Sequence, residues 1–244
     1  MPRTPHVTGD SRDMEPGPLV SVVIPVHNGE RYLGDAIDSV LAQRHRPIEI
    51  VVVDDGSADA SAAVCARVTG IRYVYQSRAG AAAARNRGVE ISTGALLAFL
   101  DADDLWLPDK LSCQIAALNA EPRPDMVFGH VRQFHSPELD GQTKARIAGD
   151  GTVLAGHVVG TLLVSRAAFD RVGPFATRWR IGESLDWFSR ARDLGLAYVT
   201  VPDVVLLRRL HTGNMMRHER HSTGDYTRIL KASLDRRRAI PPRG

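Results

Sequence analysis

Residues 95–104 read Ala-Leu-Leu-Ala-Phe-Leu-Asp-Ala-Asp-Asp. The apolar stretch Ala95 to Leu100 is short, and such a run bounded by polar residues suits a strand buried on both faces. Three carboxylates in the next four positions, Asp101, Asp103 and Asp104, stand where that strand ends. In open α/β sheets the carboxyl ends of the strands are where ligands bind. Crowded carboxylates repel one another, and a cation among them relieves the repulsion. Hard oxygen ligands favour Mg2+ or Mn2+, either of which would bridge to a diphosphate. The same acidic turn also suits the cap of a following helix, and spacing alone leaves both readings open.

Upstream of this stretch the chain alternates strand and helix. Leu19 to Val26, Ile48 to Val53 and Ile71 to Tyr75 read as buried strands. Tyr32, Leu33, Ala36, Ile37, Val40 and Leu41 recur at helical spacing, and Ala81 to Glu90 is helical by its alanines. Ser57 is expected to cap a helix through Ala62 to Val68. Downstream, Leu111 to Leu118 reads as a helix and Met126 to Phe134 as a strand. This order predicts an α/β domain with a Rossmann-like, mostly parallel central sheet and helices on both faces. Residues 136 to 151 read as a polar loop. Gly160 to Val164, Ala197 to Val201 and Val204 to Leu210 read as strands. Arg166 to Val172, Leu185 to Leu194 and Tyr226 to Arg238 read as helices.

Composition narrows the function. The chain has 244 residues, 43% hydrophobic and 24% charged, which suits a folded domain. No apolar run approaches the roughly 20 residues of a membrane span. Residues 1–18 lack the apolar core of a secretory signal and read as a disordered leader. Two cysteines, Cys65 and Cys113, make neither a disulfide framework nor a zinc cluster, and they suit a reducing cytoplasm. The net charge is +3, but it is unevenly spread: residues 204–244 hold 10 Lys+Arg against 3 Asp+Glu. The basicity belongs to a tail on a mildly acidic body, which argues against nucleic acid as the partner. The phosphate-loop pattern G-x-x-x-x-G-K, the dinucleotide pattern G-x-G-x-x-G and the hydrolase elbow G-x-S-x-G are all absent from the sequence. His218 and His221 lack the carboxylate spacing of a zinc site.

Five further constellations sit where chemistry is expected. Asp54-Asp55 ends the strand from Ile48, where a carboxylate can accept from a nucleobase or simply shape the turn before Gly56. Pro25-Val26-His27-Asn28 ends the first strand. Arg85-Asn86-Arg87 follows a small-residue stretch and suits base edges or phosphates as well as a solvated helix face. Glu183 and Asp186 share one face of a helix, as a general base or as acidic residues favoured at a helix start. Arg208-Arg209-Leu210-His211 follows an apolar strand and could close over phosphates or lie in solvent.

Taken in order, these stretches resemble the family 2 glycosyltransferases with the GT-A fold. The resemblance is carried by Pro25-Val-His-Asn28, Asp54-Asp55-Gly-Ser, Ala84-Arg85-Asn-Arg-Gly88, Asp101-Ala102-Asp103-Asp104, Val172-Gly-Pro-Phe175 and Gly182-Glu-Ser-Leu-Asp186-Trp. It runs from about Leu19 to Arg238, with a nucleotide-binding half at 19–125, an acceptor-side half at 126–210 and a basic segment at 211–244. It implies a nucleotide-sugar donor, UDP-linked by default, a divalent metal (Mn2+ or Mg2+), and inversion at the anomeric carbon. By position, Pro25, Val26, His27, Asn28 and Asp55 would line the nucleoside pocket with Asp54 in support. Arg85 would approach the base or ribose. Asp101-Ala102-Asp103 would be the metal-binding D-x-D, with Asp103 the metal ligand and Asp101 on ribose or metal-bound water. Gly160-Thr161 would line the sugar and acceptor side. His211, with Arg208 or Arg209, would add a metal ligand or positive charge at the diphosphate.

One position departs from the family pattern. Where the usual base is an Asp, this chain has Ser184, which cannot act as a carboxylate base. Asp186 is favoured in its place because it precedes Trp187, and Glu183 is the alternative. A nucleotidyltransferase, or a nucleotide-sugar-binding protein with impaired catalysis, are the rival readings. The acceptor is left open among a glycan, a lipid-linked carrier, a peptide and a small molecule. A cytoplasmic enzyme is expected, with the basic C-terminal helix able to meet an anionic acceptor, the inner membrane face or only water.

Overall fold

The structure, a computed structural model, describes residues 17–213 and 223–239. Most of the expected leader, residues 1–16, and both His218 and His221 lie outside the described residues. Among the described residues, nine strands form one sheet: β1 (Val20–Val26), β2 (Ile48–Asp55), β3 (Ile71–Gln76), β4 (Leu96–Phe99), β5 (Leu105–Trp106), β6 (Met126–His135), β7 (Val153–Gly156), β8 (Leu163–Ser165) and β9 (Tyr198–Leu210). Their order is β3-β2-β1-β4-β8-β6-β9-β5, with β7 paired to β6. The first four are parallel, and antiparallel pairing begins where β8 meets β4. The helices are α1 (Leu33–Leu41), α2 (Ser61–Ala66), α3 (Ala81–Ile91), α4 (Lys110–Leu118), α5 (Gly141–Arg146), α6 (Arg166–Val172), α7 (Glu183–Asp193) and α8 (Thr223–Ala239).

Alternation along β1 sorts the core into two layers. Val20, Val22 and Ile24 pack with Leu33, Ala36, Ile37 and Val40 of α1 and with Leu111 of α4. Val23 points the other way, into a cluster with Val89 of α3, Phe169 of α6 and Trp187 of α7. All seven residues of β1 are buried, as a central parallel strand covered on both faces requires. α3 lies especially close to β1. A Cβ at Gly88 would stand 2.3 Å from Val23 Cγ1, so only glycine fits there.

Several expectations needed correction. β9 is one strand where two were predicted. Between Thr200 and Val204 it bulges against β6, whose matching residues are Phe128 and His130. Pro202 sits in this irregularity, where its missing N–H breaks no ladder bond, and its carbonyl meets the His130 ring at 2.7 Å. Gly160 to Val164 splits into a 3-10 turn over Val159–Thr161 and the strand β8. The polar loop at 136–151 contains α5, capped by Asp140, which accepts from Thr143 N at 2.7 Å. The edge strand β7 was not anticipated. Ser57 does not cap α2: its hydroxyl accepts from Asn28 N at 2.9 Å, and the carboxylate of Asp59 receives Ser61 N at 3.0 Å.

Candidate active site

The carboxyl ends of β1, β2 and β4 bring most of the predicted residues to one edge of the sheet. Pro25 and Val26 are buried at the end of β1, and His27 and Asn28 follow in the turn. Asn28 has φ +52°, a conformation its short amide tolerates. Its side chain accepts from Ala58 N at 2.8 Å, while Gly29 N donates to Ser61 Oγ at 3.0 Å and Glu30 N to Asp59 at 2.9 Å. The loops after β1 and β2 are therefore zipped together. A His27 ring nitrogen lies 3.0 Å from the Asp55 carbonyl.

Asp54 is buried and receives Ser57 N at 2.7 Å and the Tyr73 hydroxyl at 2.7 Å. Burial, then the Asp54 carboxylate, push the Tyr73 hydroxyl well above its ordinary range. Asp55, expected to line the nucleoside pocket, has both carboxylate oxygens engaged. They accept from Gln76 at 2.8 Å, Ala79 N at 2.7 Å and Gly80 N at 2.8 Å. In this geometry Asp55 frames the entry to α3.

Arg85, expected to approach the base or ribose, is buried and bridges two acids. One amino group donates to Asp101 at 2.6 Å and the other to Glu183 at 2.6 Å. A guanidinium fork can hold two carboxylates in fixed relation, which a lysine cannot. Its Nε is buried without a hydrogen bond. Arg85 thus joins the D-x-D turn to the start of α7.

Asp103 faces His211, with 3.0 Å between Oδ2 and the ring Nε2. Ala102 lies between the two acids, packed against the core. Asp104 turns inward and accepts from Arg209 N at 2.9 Å. Burial, then the charges of Asp103 and Asp101, raise its carboxyl well above the ordinary range. Arg209, expected as an alternative to Arg208 for charge at the diphosphate, is buried beneath this turn. It donates to the Asp103 carbonyl at 3.0 Å and to Asp35 at 2.9 Å, and its guanidinium lies 4.7 Å from the Tyr32 ring centroid. Tyr32 in turn meets the His211 ring at 4.8 Å and donates to Glu138. The bonds from the Ser136 and Tyr32 hydroxyls outweigh burial and pull Glu138 down to about 2. Sequence reading did not place Tyr32, Asp35 and Glu138 here: Tyr32 read only as part of a helical period, and Glu138 lies 106 residues further along the chain.

Glu183 and Asp186 meet different surroundings. Asp186 is fully buried, with Arg190 Nε at 3.0 Å on one oxygen and Arg178 and Arg236 each at 3.7 Å from the other. The acid favoured as base, Asp186, is thus sealed among three guanidinium groups, whereas a base has to reach the acceptor hydroxyl. Glu183 keeps some exposure, 15% of its side chain, and shares Arg85 with Asp101.

The donor set suits a divalent cation completed by the ligand. Asp103 and His211 offer a carboxylate oxygen and an imidazole nitrogen side by side, with Asp101 two residues away. Oxygen with imidazole nitrogen favours Mn2+ over Mg2+. Among the described residues no three His, Cys, Asp or Glu groups form a closed metal cage. Such ions commonly take one or two protein ligands and the rest from substrate phosphates and water.

Residues 21–175 match the family model described as Glycosyl transferase family 2. An uncharacterized glycosyltransferase of Rickettsia typhi is 40% identical over 188 residues, covering 72% of this chain and 59% of that protein. The first matched curated relatives are longer, and this chain spans 26%, 59% and 35% of their lengths. S. aureus TarS 1-349 in complex with UDP-GlcNAc superposes with a TM-score of 0.73 at 16% identity, covering 89% of this chain and 66% of that one. The mannosyltransferase PcManGT from Pyrobaculum calidifontis, in complex with GDP-Man and Mn2+, gives 0.66 at 21% identity, covering 89% and 64%. The shared architecture is the GT-A fold.

Proposed function

Because this chain belongs to glycosyl transferase family 2, we propose that it transfers a sugar from a nucleoside-diphosphate donor to an acceptor nucleophile with inversion. The observation that carries this reading is the Asp101–Arg85–Glu183 bridge beside the Asp103–His211 pair. On this reading it would put a diphosphate-binding edge and a second carboxylate near one another. TarS with UDP-GlcNAc and PcManGT with GDP-Man support a nucleotide-sugar donor. A UDP-sugar is the favoured donor.

The zipped loops of Pro25 to Asn28 and Asp54 to Ser61 would receive the nucleoside. Asp103 and His211 would hold Mn2+, with Asp101 close by. That ion, when bound, would supply positive charge where the leaving diphosphate gains negative charge. Glu183 is the proposed base. It takes the acceptor proton as the acceptor oxygen attacks the anomeric carbon, while the bond from that carbon to the diphosphate oxygen breaks and its electron pair leaves with the diphosphate. Attack from the face opposite the leaving group inverts the centre. Ser184 then leaves no gap in the chemistry, since its neighbour supplies the carboxylate.

For the acceptor side, the outward stripe of α8 presents Leu230 and Leu234 beside Lys231 and Arg238. Exposed leucines flanked by cations suit an anionic membrane surface or a lipid-linked acceptor. Among the described residues no helix is long and apolar enough to cross a membrane.

The test is binding of UDP and GDP, with and without Mn2+, by calorimetry on wild type and Asp103→Asn. We expect Mn2+ to tighten one nucleotide in wild type and to lose most of that effect in the variant. Equal nucleotide affinity with and without Mn2+ in wild type would contradict the assigned metal site.

A further inference from the structure

Helix α8 and the segment that carries Glu183 both lie beyond residues 21–175, the stretch that the family model matches, and α8 packs on that segment. Gly182 is the residue before Glu183 and the N-cap of α7, with φ +81°. A Cβ there would meet Ile229 Cδ1 at 2.9 Å and the Tyr226 ring at 3.2 Å, so α8 presses directly on this turn. Asp225 accepts from Arg180 N at 3.2 Å. Ser189 donates to Ser233 at 2.8 Å. Arg236 reaches furthest: it donates to Asp193 at 2.9 Å and to Ser189 at 3.2 Å, and it stands 3.7 Å from Asp186. Arg237 adds a bond to Asp193 at 2.9 Å.

Asp186 is one helical turn from Gly182, and its own N–H donates to the Gly182 carbonyl at 3.0 Å. The Asp186 oxygen that faces Arg236 and Arg178 is buried and makes no hydrogen bond. Such an atom depends on nearby positive charge, because water cannot solvate it. Whatever holds Asp186 therefore holds the first turn of α7, and with it the backbone of Glu183.

We propose that α8 is a clamp on the start of α7, and that Arg236 is a positioning residue that acts through Asp186 on Glu183. The proposal rests on the reading of Glu183 as the base. Displacing a catalytic group by about 1 Å can cost roughly 100-fold in rate, so a clamp at this turn has kinetic consequences.

The test uses the full chain with Arg236→Ala, Arg236→Lys and, on the same helix, the exposed control Asp235→Ala. Hydrogen exchange is followed at the amides of residues 182–187, and nucleoside diphosphate release is followed from UDP-GlcNAc and GDP-mannose with Mn2+. In Arg236→Ala we expect exchange at 182–187 to rise about 10-fold while β1 and β2 stay protected. Turnover should fall about 10-fold with nucleoside diphosphate affinity unchanged. Lysine keeps the charge without the fork and should restore part of both, and Asp235→Ala should match wild type. Unchanged exchange at 182–187 in Arg236→Ala would overturn the clamp, as would an equal rise across β1 and β2, or turnover equal to wild type. Glu183→Gln, measured alongside, separates the two readings. If it turns over like wild type, Glu183 is not the base, while the exchange data still decide whether α8 clamps α7.

Discussion

Glu183 and Asp186 lie within one helical turn of each other, yet Asp186 sits among Arg178, Arg190 and Arg236 while Glu183 shares Arg85 with Asp101. Helical spacing made both acids visible in the sequence. Their partners come from distant segments, so spacing could not say which acid faces the site. Asp186→Asn should therefore act on stability: breaking a buried ion pair on one side costs about 3 kcal/mol, to be read from denaturant melts. Lys110 offers a second residue-scale test. It is buried with its amine 2.6 Å from Gln114 and 4.3 Å from the Trp106 ring, and burial pulls its amine down to about 7. The unfolded chain takes up this proton below the ordinary 10.5, whereas the folded chain stays neutral down to about 7. The unfolded state thus binds more protons in that window, and stability rises with pH across it. Lys110→Met should remove this part of the pH dependence and be the more stable protein at pH near 7. Equal slopes in the two proteins would contradict it.

At the scale of elements, the strands β1, β2 and β4 were legible because apolar runs that end in Asn or Asp mark both a buried strand and its ligand-facing end. β7 and β9 were harder to read. β7 has exposed Val153 and Leu154 and no buried run, and Pro202 disguised a continuous strand. The packing of α3 on β1 is directly testable. Gly88→Ala places a methyl group against Val23 and should cost about 1–3 kcal/mol by overpacking. Val23→Ala in the same chain should recover part of that loss, since it opens the space the new methyl needs. Arg209 serves the D-x-D turn in a different way, through the Asp103 carbonyl, Asp104 and Asp35. Its place after an apolar strand was visible in the sequence, but its burial was not, because a charged residue there reads equally well as a surface lid.

Over the whole molecule, the uneven charge takes on a structural meaning. Arginines of the basic C-terminal stretch pair with the acidic body: Arg209 with Asp35, and Arg236 and Arg237 with Asp193. Burial would raise Asp193, but hydrogen bonds from Arg237 and Arg236 outweigh it and hold the carboxyl low, as Ser136 and Tyr32 do for Glu138. Both acids are depressed in the fold, so their contribution is present above the ordinary carboxylate range and is lost as pH falls through the folded values. Thermal midpoints should drop on acidification from pH near 5 toward pH near 3, and less steeply in Glu138→Gln. The order of motifs along the chain carried the fold and the family. The pairing of distant arginines with acids had no local signal, and it is that pairing which distinguishes Glu183 from Asp186. The most direct test of the central claim is nucleoside diphosphate release from UDP-GlcNAc and GDP-mannose, with Mn2+, by wild type and Glu183→Gln. Wild type is expected to turn over one of these donors, and the variant to be slower by about 100-fold or more with unchanged nucleotide affinity. Equal turnover by the two proteins, or no turnover by wild type, would contradict it.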